Sequence, residues 1–134
     1  MKKIVFDSYA LINFFRKEPG YTIIKEMLVK VANDEMEAYI CSVNIGELYY
    51  MICRKVDVRA AEAALQILKQ LPLHIIEADL PLCLQAAKIK AGFSMSYADA
   101  FAAAITISKK ATLITGDHEF DALLGETNFK VRYL

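Results

Sequence analysis

Four carboxylates carry the chemistry this sequence could perform. They are Asp7 in Ile4-Val5-Phe6-Asp7-Ser8, Glu47 in Ser42-Val43-Asn44-Ile45-Gly46-Glu47-Leu48, Asp99 in Ser96-Tyr97-Ala98-Asp99-Ala100, and Asp117 in Leu113-Ile114-Thr115-Gly116-Asp117-His118-Glu119-Phe120. Each alone has a structural explanation. Asp7 and Asp117 can cap helices that follow them, and Asn44-x-x-Glu47 and Ser96-x-x-Asp99 both match a capping box, in which the acid reaches back to a free backbone N–H. Gathered at one place they would do something else. Carboxylates ~4 Å apart repel by roughly 4 kcal/mol per pair at an effective dielectric of ~20, more than helix dipoles worth ~0.3–1 kcal/mol offset. A divalent cation offsets it. Oxygen ligands without His or Cys point to Mg²⁺ or Mn²⁺ rather than zinc, and the chemistry such a site most often serves is phosphodiester hydrolysis.

The elements that must position these acids alternate. Residues 3–6 are a charge-to-apolar run of β-branched and aromatic side chains, which reads as a buried strand ending at Asp7. A helix follows over 9–16 and stops at Pro19-Gly20. Residues 21–32 place Ile24, Leu28 and Met27, Val31 on one stripe, the pattern of an amphipathic helix. A second strand is predicted at 38–41, a helix at 42–55 carrying Glu47, and another helix capped by Asp57 along Ala61, Ala64, Leu65 and Leu68. Leu71-Pro72 breaks it before a third strand at 73–76. Asp79 and Pro81 open a helix that closes near Gly92; an Ala-rich helix spans 98–108, a fourth strand 112–115, a short helix 119–124 and a fifth strand 131–133. Short, continuously apolar strands between helical crossovers argue for a parallel sheet covered on both faces. In such sheets ligands bind beyond the C-terminal ends of the strands, where most of these acids fall. The two helices between strands two and three make a long excursion, expected to form an arm or clamp outside the sandwich.

Composition narrows the function classes. The 134 residues form one domain, residues 1–134, without linker, repeat or low-complexity tract. With 56% hydrophobic residues and a mean hydropathy of +0.29, some apolar surface is expected to be covered by a partner. Sixteen basic and sixteen acidic side chains balance, which excludes the broad basic field of a non-specific nucleic-acid binder. Cys41, Cys53 and Cys83 lack C-x-x-C spacing and lie in apolar runs, as reduced core thiols of a cytoplasmic protein do, and only His74 and His118 could join them on zinc. Lys2-Lys3 before an apolar run mimics a signal peptide, but Asp7 interrupts it. No uncharged run approaches the ~18 residues of a membrane span.

The four acidic motifs, in this order and at these separations, resemble those of the PIN-domain nucleases, and the likeness covers essentially the whole chain. The compact size resembles the toxin ribonucleases of VapBC-type toxin–antitoxin pairs. The resemblance implies an α/β fold, a three-layer α/β/α sandwich around a mostly parallel five-stranded sheet of order 3-2-1-4-5, with the strand ending at Asp7 in the centre. It implies a Mg²⁺- or Mn²⁺-dependent endoribonuclease leaving 5′-phosphate and 3′-hydroxyl ends, acting as a homodimer and silenced by a small cognate antitoxin. Carried onto matching positions, Asp7 and Asp99 become direct metal ligands and Asp117 a ligand directly or through water. Glu47 acts through water or orients the nucleophile. Glu119 becomes a fifth acid, while Ser8 and Thr115 orient carboxylates or waters. Tyr9 is bulkier than the small polar residue many relatives carry after the Asp-Ser pair, which bears on groove width.

Two other classes compete. A catalytically silent PIN module could serve as a protein- or RNA-binding scaffold, against which the complete acids argue. A receiver-like phosphoacceptor domain wants an acid pair after its first strand and a lysine after its last, and neither is present. His118 reads as a solvent-facing loop residue and stays outside the catalytic set. Tyr49, Tyr50, Met51, Phe14 and Phe15 read as core or interface, although an exposed aromatic near the acids could stack on an unpaired base.

Overall fold

The N-terminal apolar run is buried on both sides, with Ile4, Val5 and Phe6 all fully inaccessible. The computed structural model describes residues 1–126 and 128–134. In chain order its elements are β1 (Lys2–Phe6), α1 (Ser8–Phe15), α2 (Tyr21–Ala32), β2 (Met36–Cys41), α3 (Ser42–Lys55), α4 (Val58–Gln70), β3 (His74–Ile76), α5 (Leu80–Gly92), α6 (Tyr97–Lys109), β4 (Thr112–Thr115), a 3₁₀ helix (His118–Leu123) and β5 (Lys130–Tyr133). The five strands form one sheet in the order β3-β2-β1-β4-β5, and every neighbouring pair is parallel. The expected order is therefore observed, and the expected mostly parallel sheet is wholly so.

The pleat of β1 divides the core in two. Ile4 and Phe6 face one layer with Ala38, Ile40 and Ile114, packed under α1, α2 and α3. Val5 faces the other with Tyr39, Cys41 and Leu113, packed under α5 and α6. Successive side chains of a strand point to opposite faces, so alternation inside one apolar run builds a three-layer sandwich. α6 lies close to the sheet because its inward positions are Ala100, Ala102, Ala103 and Ala104, all buried. It ends at Lys110, which takes the left-handed conformation with φ 53°.

Three local expectations are corrected. α3 starts directly at the end of β2, with Cys41 at the cap position and no side-chain cap bond. Ser42 Oγ instead accepts a hydrogen bond from Ala78 N at 3.0 Å, tying this corner to the far side of β3. Asn44 therefore lies inside the helix, and no capping box with Glu47 forms. The short helix expected at 119–124 is present one residue earlier, over His118–Leu123, and is a 3₁₀ helix. Of the cysteines expected in the core, all are free thiols but only Cys41 is fully buried. The long excursion is the α3–α4 pair: Asp57 caps α4 through Ala60 N at 2.8 Å, and Ala61, Ala64 and Leu68 of α4 pack with Leu48 and Ile52 of α3.

Candidate active site

Parallel strands bring their C-terminal ends to one edge, and β1, β2 and β4 are neighbours. Asp7 follows β1 and caps α1, its Oδ1 accepting from Ala10 N at 2.8 Å. Its Oδ2 accepts from Thr115 Oγ1 at 2.5 Å, across 108 residues of sequence. Thr115 Oγ1 in turn accepts from Asp117 N at 3.0 Å. One hydroxyl thus ties the end of β1 to the turn after β4. Asp7 is 1% exposed and Thr115 fully buried.

Asp117 spends one oxygen on a cap, with Oδ1 accepting from Glu119 N at 2.9 Å. Phe120, fully buried among Phe101, Ile105 and Leu113, anchors the turn that carries both acids. Asp99 enters from α6. Ser96 Oγ caps that helix by accepting from Asp99 N at 3.1 Å, so half of the expected capping box forms. Asp99 sits in the first helical turn, where the helix dipole favours negative charge. Oxygens of Asp99, Asp117 and Glu119 lie within 4.8 Å of one another. Glu47, half-buried on α3, accepts a hydrogen bond from Ser8 Oγ.

The electrostatics follow from this crowding. Burial pushes the Asp7 carboxyl up to about 7, against the hydrogen bonds from Thr115 and Ala10, and the charges of Asp117 and Glu47 push the same way. Burial pushes Asp99 up to about 8, reinforced by the carboxyls of Glu119, Asp117 and Asp7. Among the described residues no Lys or Arg forms an ion pair with any of these acids. The cluster therefore lacks compensating charge while offering hard oxygen ligands, some on a buried, helix-anchored frame. Such a donor set fits a hard dication and not a soft one.

Every acid singled out in the sequence is thus found at this edge, with Asp99, Asp117 and Glu119 forming the tightest group. His118 points away, 69% exposed, and its ring stacks on Tyr133 at 4.2 Å. The sequence reading took Asn44 only as half of a capping box. It is fully buried, and its Nδ2 donates to Ala98 O at 3.2 Å, joining α3 to the residue before Asp99. The available signal was a carboxamide three residues before Glu47, inside a helix. It also missed the contact between Tyr9 and Gly116 described below.

The family model described as PIN domain matches residues 4–124. No curated protein sequence matches the chain. Solved structures show the same fold at low identity. A chain from the Rickettsia felis VapBC2 complex bound to a promoter DNA fragment has a TM-score of 0.75 at 17% identity, covering 98% of this chain and 98% of that one. A chain of DNA-bound VapBC from Salmonella typhimurium gives 0.76 at 17%, covering 99% and 98%. VapC20 of Mycobacterium tuberculosis, described as a sarcin-ricin loop cleaving toxin, gives 0.73 at 19%, covering 90% and 95%.

Proposed function

This chain belongs to the PIN domain family, and from that premise we propose that it is a Mg²⁺- or Mn²⁺-dependent endoribonuclease, the toxin of a toxin–antitoxin pair. The observation that carries the reading is the convergence of Asp99, Asp117 and Glu119 within 4.8 Å beside the buried Asp7. When bound, the divalent ion lowers the pKa of water and neutralises charge on the phosphate and the departing oxygen. Asp99, Asp117 and Glu119 would hold that ion, and Asp7 would complete the set from the end of β1. Thr115 keeps Asp7 and the Asp117 turn in register through its two hydrogen bonds. Glu47, oriented by Ser8, accepts the proton of the attacking water. Water adds to phosphorus in line as O3′ leaves, so the products end in 5′-phosphate and 3′-hydroxyl.

The partner follows from the apolar surface. A groove of about 280 Å³ between α1, α3 and α4 is lined by Ile12, Phe15, Ile52, Ala60, Ala64 and Ile67. Arg16 and Lys55 stand at its side. It suits an apolar segment of a small antitoxin with acidic flanks, and the VapBC complexes of similar fold are consistent with such an assembly. Val56 and Leu80, about two-thirds exposed, leave further apolar surface for a homodimer contact.

The test is cleavage of a mixed cellular RNA pool by the purified protein with Mn²⁺, Mg²⁺ or EDTA, followed by mapping of the new ends. Cleavage requires the metal and yields 5′-phosphates. Asp7→Asn and Asp99→Asn abolish it while circular dichroism shows a retained fold. Full activity in excess EDTA, or unchanged cleavage by either variant, refutes the reading, and no cleavage with either metal leaves a binding module.

A further inference from the structure

Tyr9, the second residue of α1, stands two residues from Asp7, at the same sheet edge as the acids. Its ring rests on the backbone of Gly116, which joins Thr115 to Asp117. A Cβ at position 116 would lie 2.3 Å from Tyr9 Cε1 and 2.7 Å from Cζ. No glycine among the described residues has positive φ. Conformational freedom therefore does not explain Gly116; room for the ring does. Yet Tyr9 is 44% exposed, so part of the phenol is clamped against the active-site turn and the rest is open.

The open part borders a pocket of about 150 Å³ lined by Tyr9, Asn13, Glu18, Pro19, Gly20 and Leu134. A cavity of about that size accepts a single aromatic ring. No cation lines it, and Glu18 would repel a phosphate. Asn13, one helical turn beyond Tyr9, is 6% exposed, and its Oδ1, inaccessible to solvent, has no hydrogen-bond partner among the described residues. Gly20 closes over this carboxamide, since a Cβ there would lie 2.9 Å from Oδ1. The pocket therefore combines an aromatic wall and a bias against anions. It adjoins acids suited, with a cation, to gripping a phosphate. In a nucleic acid the flat, uncharged group that the ribose beside a phosphate carries, and that matches those walls, is a base.

We propose that Tyr9 is a stacking platform for an unpaired RNA base flanking the scissile phosphate. This rests on the ribonuclease reading of the acids. Single-stranded RNA is recognised by stacking of its unpaired bases on aromatic side chains.

The test uses short unstructured RNA oligonucleotides varied at single positions around the cut. Cleavage with Mn²⁺ is measured for wild type, Tyr9→Ala and Tyr9→Phe. Equilibrium binding of the same oligonucleotides is measured by fluorescence anisotropy in an Asp99→Asn background. Tyr9→Ala raises KM and weakens binding by about 5- to 150-fold, the range for losing one stacked base, with a smaller change in kcat. Tyr9→Phe recovers most of the loss. Unchanged KM in Tyr9→Ala overturns the proposal. A fall in kcat alone also overturns it, because the ring would then only brace the Gly116 turn. If the wild type cuts no RNA, the ribonuclease reading falls, and equal binding with and without the Tyr9 ring rejects the platform independently.

Discussion

Thr115 shows how much a single side chain can hold. Fully buried, it donates to Asp7 Oδ2 and accepts from Asp117 N, so Thr115→Val leaves two polar groups unpaired at about 1–3 kcal/mol each. Thr115→Ser keeps both bonds, and chemical denaturation should separate the two variants clearly. Because the Thr115 bond lowers the pKa of Asp7, the valine variant also raises it further. The pH dependence follows from the acids themselves. Burial holds the Asp7 carboxyl at about 7 and Asp99 at about 8, against 3.8 as the ordinary value. The folded chain thus keeps protons that the unfolded chain has released. Metal-free stability is highest below about pH 4 with respect to these groups and declines as pH rises to about 8. Melting temperatures without metal should fall across that window, and Asp7→Asn should flatten the slope. Saturating Mg²⁺ or Mn²⁺ should raise the melting temperature near pH ~8 and have little effect near pH ~5, where the ligands are protonated. A metal-free melting temperature that climbs from pH ~5 to ~8 would contradict the assigned carboxyl environments.

Elements place the acids, and small anchors set the elements. The 3₁₀ helix that Asp117 caps and that carries Glu119 is short and depends on Phe120, fully buried beneath it. Phe120→Ala should cost about 3–5 kcal/mol, read as a shift of the urea midpoint, while Phe120→Leu retains most of the packing. At the other side of the cluster, Ser96 caps α6 through Asp99 N. Ser96→Ala should cost about 0.5–2 kcal/mol and increase hydrogen exchange in the first turn of α6. The element boundaries were largely legible in the sequence: 21–32, 42–55 and 112–115 coincide with α2, α3 and β4. Apolar periodicity and Pro, Gly and Asp punctuation are local signals, and these helices and strands obey them. The Asn44 capping box failed because the chain turns from β2 into α3 without a spacer, which puts Asn44 a full step inside the helix.

For the whole molecule, the apolar groove between α1, α3 and α4 governs assembly. Ile67 lies there, 48% exposed, so Ile67→Glu should change the stability of the isolated chain by no more than about 0.5 kcal/mol. The same substitution should weaken complex formation with the cognate antitoxin, measured by calorimetry. Equal affinity of wild type and variant would move the partner site elsewhere. Light scattering should show a mass above the 15.1 kDa of one chain, because the exposed apolar side chains at Val56 and Leu80 favour self-association.

The sequence by itself determined the order of strands and helices, the burial of β1 and the identity of the acids, because apolar period, capping residues and chain punctuation act over a few neighbouring residues. It left each acid with two readings. Asp7 does cap α1 and Asp117 does cap the turn that follows it, so the local interpretation is correct as far as it goes. Only the tertiary structure decided that the same acids share one edge. That depends on β1 lying between β2 and β4, a pairing set by burial of both sheet faces at once. The Thr115 bridge across 108 residues, the Asn44 link to Ala98 and the seat of Tyr9 on Gly116 are contacts between distant segments, and no local pattern encodes them.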